Sequence, residues 1–228
     1  MPVLNSKIDP KSEKFKANKA WMDSKLAELV KLEQKSKWQG EDKHIDKAKA
    51  EGKMLARERI DALLDKESPY LDLLPFAGFG RESFAIGGTM SAGIGLVSGN
   101  LCMVIANIAT IKGGAIDKVT LEKAIRLNEI SLENRLPAIY LVESAGANLE
   151  EQQNIFNLGG TNFREITRRS KKGIPTISVV FGNSTAGGAY IPGMSDYVVM
   201  IKNQSKVFLA GPPLVKMALG EVVDDETL

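Results

Sequence analysis

The chain's central third alternates apolar runs with helix-period segments, and that alternation limits its possible folds more than any other feature. "KVTLEKAIRLNEISLENRLP" carries an amphipathic helical pattern closed by Pro137 and is followed by "AIYLVES", a continuous apolar run of strand length. A further helix is expected over 162–171, ahead of the strand "IPTISVVFGN", with "DYVVMIKN" and "KVFLAG" strand-like beyond it. Strand, helix, strand in this order implies parallel pairing through right-handed crossovers, hence an α/β fold with helices covering the sheet. Upstream, "GGTMSAGIGLVSGNLCMVIANIAT" reads as two strands joined at the turn "SGN". Its glycines are spaced G-x-G-x-x-x-G with no helical pattern after them, so a hairpin fits and a dinucleotide fingerprint does not.

Residues 1–67 differ in character, holding 29 of the 58 charged residues. Two helices are expected there. The first follows Pro10, with Phe15, Met22, Leu26, Leu29 and Val30 near one face; the second runs over 42–64, with Ile45, Ala48, Leu55, Ile60 and Leu63 as its stripe. The division is thus a helical arm over 1–67 and an α/β domain over 68–228.

Composition removes several function classes. A formal charge of +2 gives no case for nucleic acid or an anionic membrane as partner, and no stretch approaches a membrane span. One cysteine, Cys102, excludes an internal disulfide and fits a reducing compartment, with the cytoplasm the expected location. No metal site is expected: Glu143, Glu150 and Glu151 lie near one loop without His or Cys beside them, and Glu150–Glu151 reads as a helix first turn. The single histidine, His44, sits in the charged arm.

In parallel α/β folds ligands collect beyond the carboxyl ends of strands. Two turns sit there, "ESAGANLEE" and "GNSTAGGAY". "GNSTA" comes one step short of the G-x-S-x-G nucleophile elbow, but Ser184 has no imidazole base within reach in sequence. What remains is main-chain chemistry. If Ala186, Gly187 and Gly188 open a helix, their N–H groups lack intrahelical partners and face a ligand at the positive end of the helix dipole. Such donors favour a thioester oxygen most when it becomes an enolate. Close helix–strand packing accounts for the same glycines equally well, and on the turn alone the two readings stand even.

The blocks "NRLPAIYLVESAGANL", "NSTAGGAYIPGMSD", "FLAGPPLVKMALGE", "IANIATIKGGA" and "ARERIDALLD" together resemble, in order, the carboxyltransferase (beta) subunits of biotin-dependent acyl-CoA carboxylases. The resemblance runs from about residue 40 to the end and is nearer the methylcrotonyl-CoA/geranyl-CoA branch, although "ANLEEQQNIF" departs from the usual methylcrotonyl wording. It implies a crotonase-like (ClpP-like) fold and transfer of a carboxyl group from carboxybiotin, carried on a partner subunit or domain, to the α-carbon or a vinylogous carbon of an acyl-CoA. It matches Gly187 and Gly188 to an oxyanion hole for the enolate, with Ala186 and Ala189 beside them. Ser144, Ala145, Gly146 and Ala147 match a stretch lining the acyl-CoA site, where many relatives have Gly at the place of Ala145. Lys112, Gly113 and Gly114 match a block near the CoA-binding region. The resemblance further implies a biotin carboxylase and biotin carrier as partners and assembly into a homo-oligomer. It also implies a second, related domain supplying the biotin site, so this chain is expected to be the N-terminal half and inactive alone. Two rivals remain: a crotonase-type hydratase or hydrolase using Glu143 or Glu150 as base, and a non-catalytic assembly module of a carboxylase complex.

Overall fold

The computed structural model describes residues 5–224 and 227, except the side chain of Pro213. The chain divides into two compact units, Met1–Trp38 and Gln39–Leu228. In the first, α1 (Glu13–Ser36) starts at an N-cap where Ser12 Oγ accepts from the Phe15 amide at 3.2 Å. Its expected apolar stripe is largely exposed, from Met22 (50%) through Leu26 and Leu29 to Val30 (51%).

The second unit opens with α2 (Asp42–Ala50) and α3 (Ala56–Leu63), so the single helix expected over 42–64 is two. Gly52 breaks it. At φ +70° its amide returns to Lys49 O at 2.9 Å, and the Lys53 amide returns to Ala48 O at 2.9 Å, the paired closure that ends helices at a left-handed residue. A Glu58 carboxylate oxygen then accepts from the Leu55 amide at 2.7 Å and starts α3. The segment expected as one arm is therefore shared between the units, with α1 in the first and α2 and α3 in the second.

The remaining elements build one sheet with its covering helices. A short β1 (Tyr70–Asp72) precedes the hairpin β2 (Met90–Val97) and β3 (Asn100–Asn107). Then come α4 (Lys118–Glu133), β4 (Ala138–Ser144), α5 (Gln152–Lys171) and β5 (Thr176–Thr185). After β5 follow the four-residue α6 (Tyr190–Gly193), β6 (Tyr197–Met200), β7 (Lys206–Phe208) and α7 (Pro212–Leu219). The strand order is β1-β2-β3-β4-β5-β6, antiparallel through β3 and parallel from β3 onward. The first half of β5 pairs with β6 and its last three residues pair with β7.

Strand alternation explains why the middle strands are apolar on both faces. Met103 and Ile105 of β3 join Ala138, Tyr140 and Val142 of β4 in a core with Leu127 and Ile166 of the helices. The intervening Cys102, Val104, Ala106, Ile139 and Leu141 pack on the other face with Ala56 and Ile60 of α3. On the first face Arg169, fully buried, donates to Asn128 Oδ1 (2.9 Å) and to Tyr140 OH (3.0 Å), tying α5 and α4 to β4.

Helix α5 begins ten residues before the expected 162. Gly159 and Gly160 look like a breaker, and each costs about 1 kcal/mol against Ala inside a helix. Ile155, Asn162, Ile166 and Arg169 nevertheless fall on one buried face of the continuous helix, and that burial outweighs the propensity. Glu150 and Glu151 belong to a separate 3-10 turn, Leu149–Glu151, just ahead of it.

Candidate functional site

Three stretches far apart in sequence meet at the carboxyl ends of β4 and β5. The first is the 3-10 turn Lys112–Gly114, in which Lys112 (φ +49°), Gly113 (+65°) and Gly114 (+69°) are all left-handed. Glycine is required at Gly114, where a Cβ would stand 2.4 Å from the Glu143 carbonyl oxygen. The second stretch is Ser144–Ala147. The Ala145 amide donates to Gly113 O (2.9 Å), Gly146 O accepts from the Ile116 amide (2.7 Å), and Ser144 Oγ donates to Gly114 O (2.9 Å). The third is the 3-10 turn Ala186–Ala189 that follows β5. Ser144 and Ser184 are register partners, which sets the second and third stretches side by side. Gly188 packs so close to Ser144 that a Cβ added there would lie 3.4 Å from its Oγ, with Gly146 Cα at 3.8 Å. All eleven residues read from the sequence as a site thus fall in one cluster.

The Ala186–Ala189 turn differs from the expected helix start. It is a single 3-10 turn leading into four-residue α6, so little macrodipole is available. In such a turn the first amides, those of Ala186 and Gly187, precede the i→i−3 ladder, which begins with the Gly188 amide turned back toward Thr185. Gly187 is partly exposed and Gly188 is buried. Ala186 enters the turn at φ +49°, a conformation costing about 1–2 kcal/mol for a residue with a Cβ. Ser184 Oγ donates to Gly188 O at 3.1 Å and closes the turn from inside. Beside it, the Phe163 and Tyr190 rings stack at 4.7 Å, and a Cβ on Gly187 would sit 3.9 Å from Phe163 Cζ. The sequence pattern does not reveal this aromatic wall, because it places Phe163 at the start of a helix with nothing to pair it with Tyr190.

The geometry removes the side-chain alternatives. Ser184 is fully buried and engaged with Gly188 O, so it is not presented as a nucleophile. Ser144 Oγ is used twice, as donor to Gly114 O and as acceptor from the Gly146 amide (3.1 Å). Glu143 turns away from its neighbour Ser144: its carboxylate pairs with buried Arg59 and stands 3.5 Å from Lys53 Nζ. Glu150 is exposed beyond β4, and His44 is exposed on α2. The arrangement leaves backbone donors as the chemical equipment of the cluster, suited to an oxygen on which negative charge develops.

The mixed sheet, parallel from β3 onward and with its glycine turns beyond the ends of β4 and β5, is an α/β architecture, and residues 47–228 match the model of the carboxyl transferase domain family. The chain belongs to that family. It is 53% identical over 226 residues to a probable biotin-dependent acyl-coenzyme A carboxylase beta2 subunit of Mycobacterium tuberculosis, covering 99% of this chain and 42% of the relative. It is 45% identical to a probable mitochondrial methylcrotonoyl-CoA carboxylase beta chain of Drosophila melanogaster, covering 99% of this chain and 40% of the relative. Among solved structures, the beta subunit of P. aeruginosa geranyl-CoA carboxylase superposes with a TM-score of 0.87 at 41% identity, over 99% of this chain and 42% of that one. Transcarboxylase 12S shares the fold at a TM-score of 0.78 and 24% identity. The chain therefore spans about two fifths of the length of these curated relatives.

Proposed function

We propose that this chain binds the acyl-CoA partner of a biotin-dependent carboxyl transfer and stabilises its enolate oxygen with the Gly187 and Gly188 amides. The observation that carries the reading is the Ala186–Ala189 turn at the end of β5, with Gly188 against Ser144 and Gly146 and Gly187 partly exposed beside Phe163, in a chain of the carboxyl transferase family. Removing the proton from the α-carbon, or from a vinylogous carbon, moves charge onto the thioester oxygen. Donors already oriented and unsolvated by side chains gain strength as that charge grows, typically 10²–10³ in rate for each donor. The 144–147 and 112–114 turns hold the remainder of the thioester in place, and the Phe163–Tyr190 pair bounds the acyl chain. Biotin, carried by a partner carrier subunit served by a biotin carboxylase, supplies the carboxyl group. Relatives named for methylcrotonoyl-CoA and geranyl-CoA support a branched or unsaturated acyl group. A homo-oligomer and a cytoplasmic location complete the reading, the latter on the single Cys102.

The test is binding of an acyl-CoA and of an analogue bearing a permanently anionic oxygen, such as a nitronate in place of the thioester enolate. The analogue is expected to bind at least tenfold more tightly than the neutral ester, and the difference to vanish in Gly188→Val. Equal affinities in the unmodified chain would contradict the proposal. Of the two bases open to the hydratase alternative, Glu143 is committed to Arg59 and Lys53, and Glu150 is exposed on the 3-10 turn beyond β4.

A further inference from the structure

Ser184, the middle residue of "GNSTA", has no part in the enolate reading as it stands, yet its placement is specific. Burial alternates along β5, and Ser184 falls on the inward face with Ser178, Val180 and Gly182. A hydroxyl on such a face is costly unless it is bonded. Its main chain is held from both sides, with Ser144 of β4 and Val207 of β7 as register partners, so the side chain stands on a rigid mount. Fully buried, it reaches four residues forward and donates to Gly188 O at 3.1 Å.

That bond spans the strained segment. Thr185, Ala186 and Gly187 lie between donor and acceptor, and Ala186, at their centre, is left-handed at φ +49°. Strain of this kind persists only where the surroundings over-determine it. The carbonyl of Gly188 also lacks one ordinary helical partner: an α-helical bond to it would come from residue 192, which is Pro192 and has no N–H. It accepts instead from the Tyr190 amide and from Ser184. Gly188 rests against Ser144 as well, whose Oγ would stand 3.4 Å from a Cβ placed there. Two buried serines at neighbouring strand ends thus grip the same glycine.

We infer that Ser184 is a positioning residue: its hydroxyl holds segment 185–188 in the shape that presents the Gly187 amide to the enolate oxygen. The inference rests on the acyl-CoA reading above. It gives the serine of the near-elbow motif a hydrogen-bonding role with no covalent step.

The readout is the preference for the nitronate analogue over neutral acyl-CoA, titrated by calorimetry into the 228-residue chain, because a merely structural serine would not move that ratio. Ser184→Ala is expected to cut the preference about fivefold, with neutral acyl-CoA binding held within about twofold. Ser178→Ala is the control. Ser178 is equally buried on the same strand, with its Oγ 2.7 Å from Ser195 Oγ, so its loss should lower the melting temperature similarly and leave the ratio unchanged. Ser184→Cys keeps the shape and a weaker donor, and its preference should fall between those of serine and alanine. Melting curves check that each variant is folded, and Ser184→Cys decides if alanine does not fold. The inference is overturned by a full preference in Ser184→Ala, by an equal loss in Ser178→Ala, or by a Ser184→Cys preference matching the unmodified chain. An unmodified chain with no preference for the analogue overturns the acyl-CoA reading itself, and this inference with it.

Discussion

Replacing Gly188 by alanine distinguishes glycine needed for ligand access from glycine needed for folding. The added Cβ would meet Ser144 Oγ at 3.4 Å, Ser144 Cβ at 3.5 Å and Gly146 Cα at 3.8 Å, all ordinary van der Waals distances. Gly188 is not among the left-handed glycines, so alanine adopts its conformation without strain. Lost freedom of the unfolded chain favours the variant by about 0.4–1 kcal/mol, offsetting any small repacking cost. Stability should therefore change by less than about 1 kcal/mol, or about 2–4 °C in melting temperature for a chain of this size. The methyl group would nevertheless stand beside the amides offered to the ligand. An effect equivalent to one lost donor weakens the anionic analogue by about 10²-fold, while neutral acyl-CoA loses a few-fold. Gly146→Ala is the control. Its Cβ would lie 2.7 Å from Thr185 O at φ +88°, so about 2–4 kcal/mol of stability should go, from backbone strain and the clash together. Circular dichroism melting and calorimetric titration measure both quantities on the same samples. A Gly188→Ala variant that melts as low as Gly146→Ala, or that keeps full affinity for the anionic analogue, refutes the reasoning.

Other expectations concern buried polar groups. Lys123 is buried with Nζ donating to Gly87 O (3.1 Å) and Met90 O (3.0 Å), and burial pushes its pKa down from 10.5 to about 8. The unfolded chain binds more protons there between pH 8 and 10.5, so stability should rise with pH across that window, by up to about 3 kcal/mol relative to Lys123→Met in urea titrations. A difference that stays flat with pH contradicts this. Glu143→Gln leaves the Arg59 guanidinium buried without its charge partner and should cost about 3–5 kcal/mol, with pantetheine-ester binding retained; lost turnover at unchanged stability would instead revive the hydratase reading. Cys102 is 4% exposed and burial raises its thiol pKa, so native protein should react with iodoacetamide far more slowly than urea-unfolded protein; equal rates would contradict its placement in the core.

How much of this was legible in the sequence depended on whether a signal was local. The period-2 and period-3.6 patterns located β2 through β5 and α4, because those strands are buried on both faces and Pro137 marks the end of the helical segment. The Gly52 break in 42–64 was legible in principle, as a lone glycine after a lysine-rich turn, but the apolar stripe continued across it. The reverse error fell at Gly159–Gly160, where packing against α4 and the sheet overrides two unfavourable residues. The site residues were found by glycine content and by family blocks. Their meeting was not readable from periodicity, since it depends on the Ser144–Ser184 register and on Gly113 O bonding the Ala145 amide, contacts spanning tens of residues.

The most direct measurement is a structure of this chain with a bound acyl-CoA ester. The thioester oxygen should lie within about 3.1 Å of the Gly187 and Gly188 amide nitrogens. An oxygen held elsewhere, with those two amides bonded to protein or solvent while the ester occupies another surface, would contradict the account.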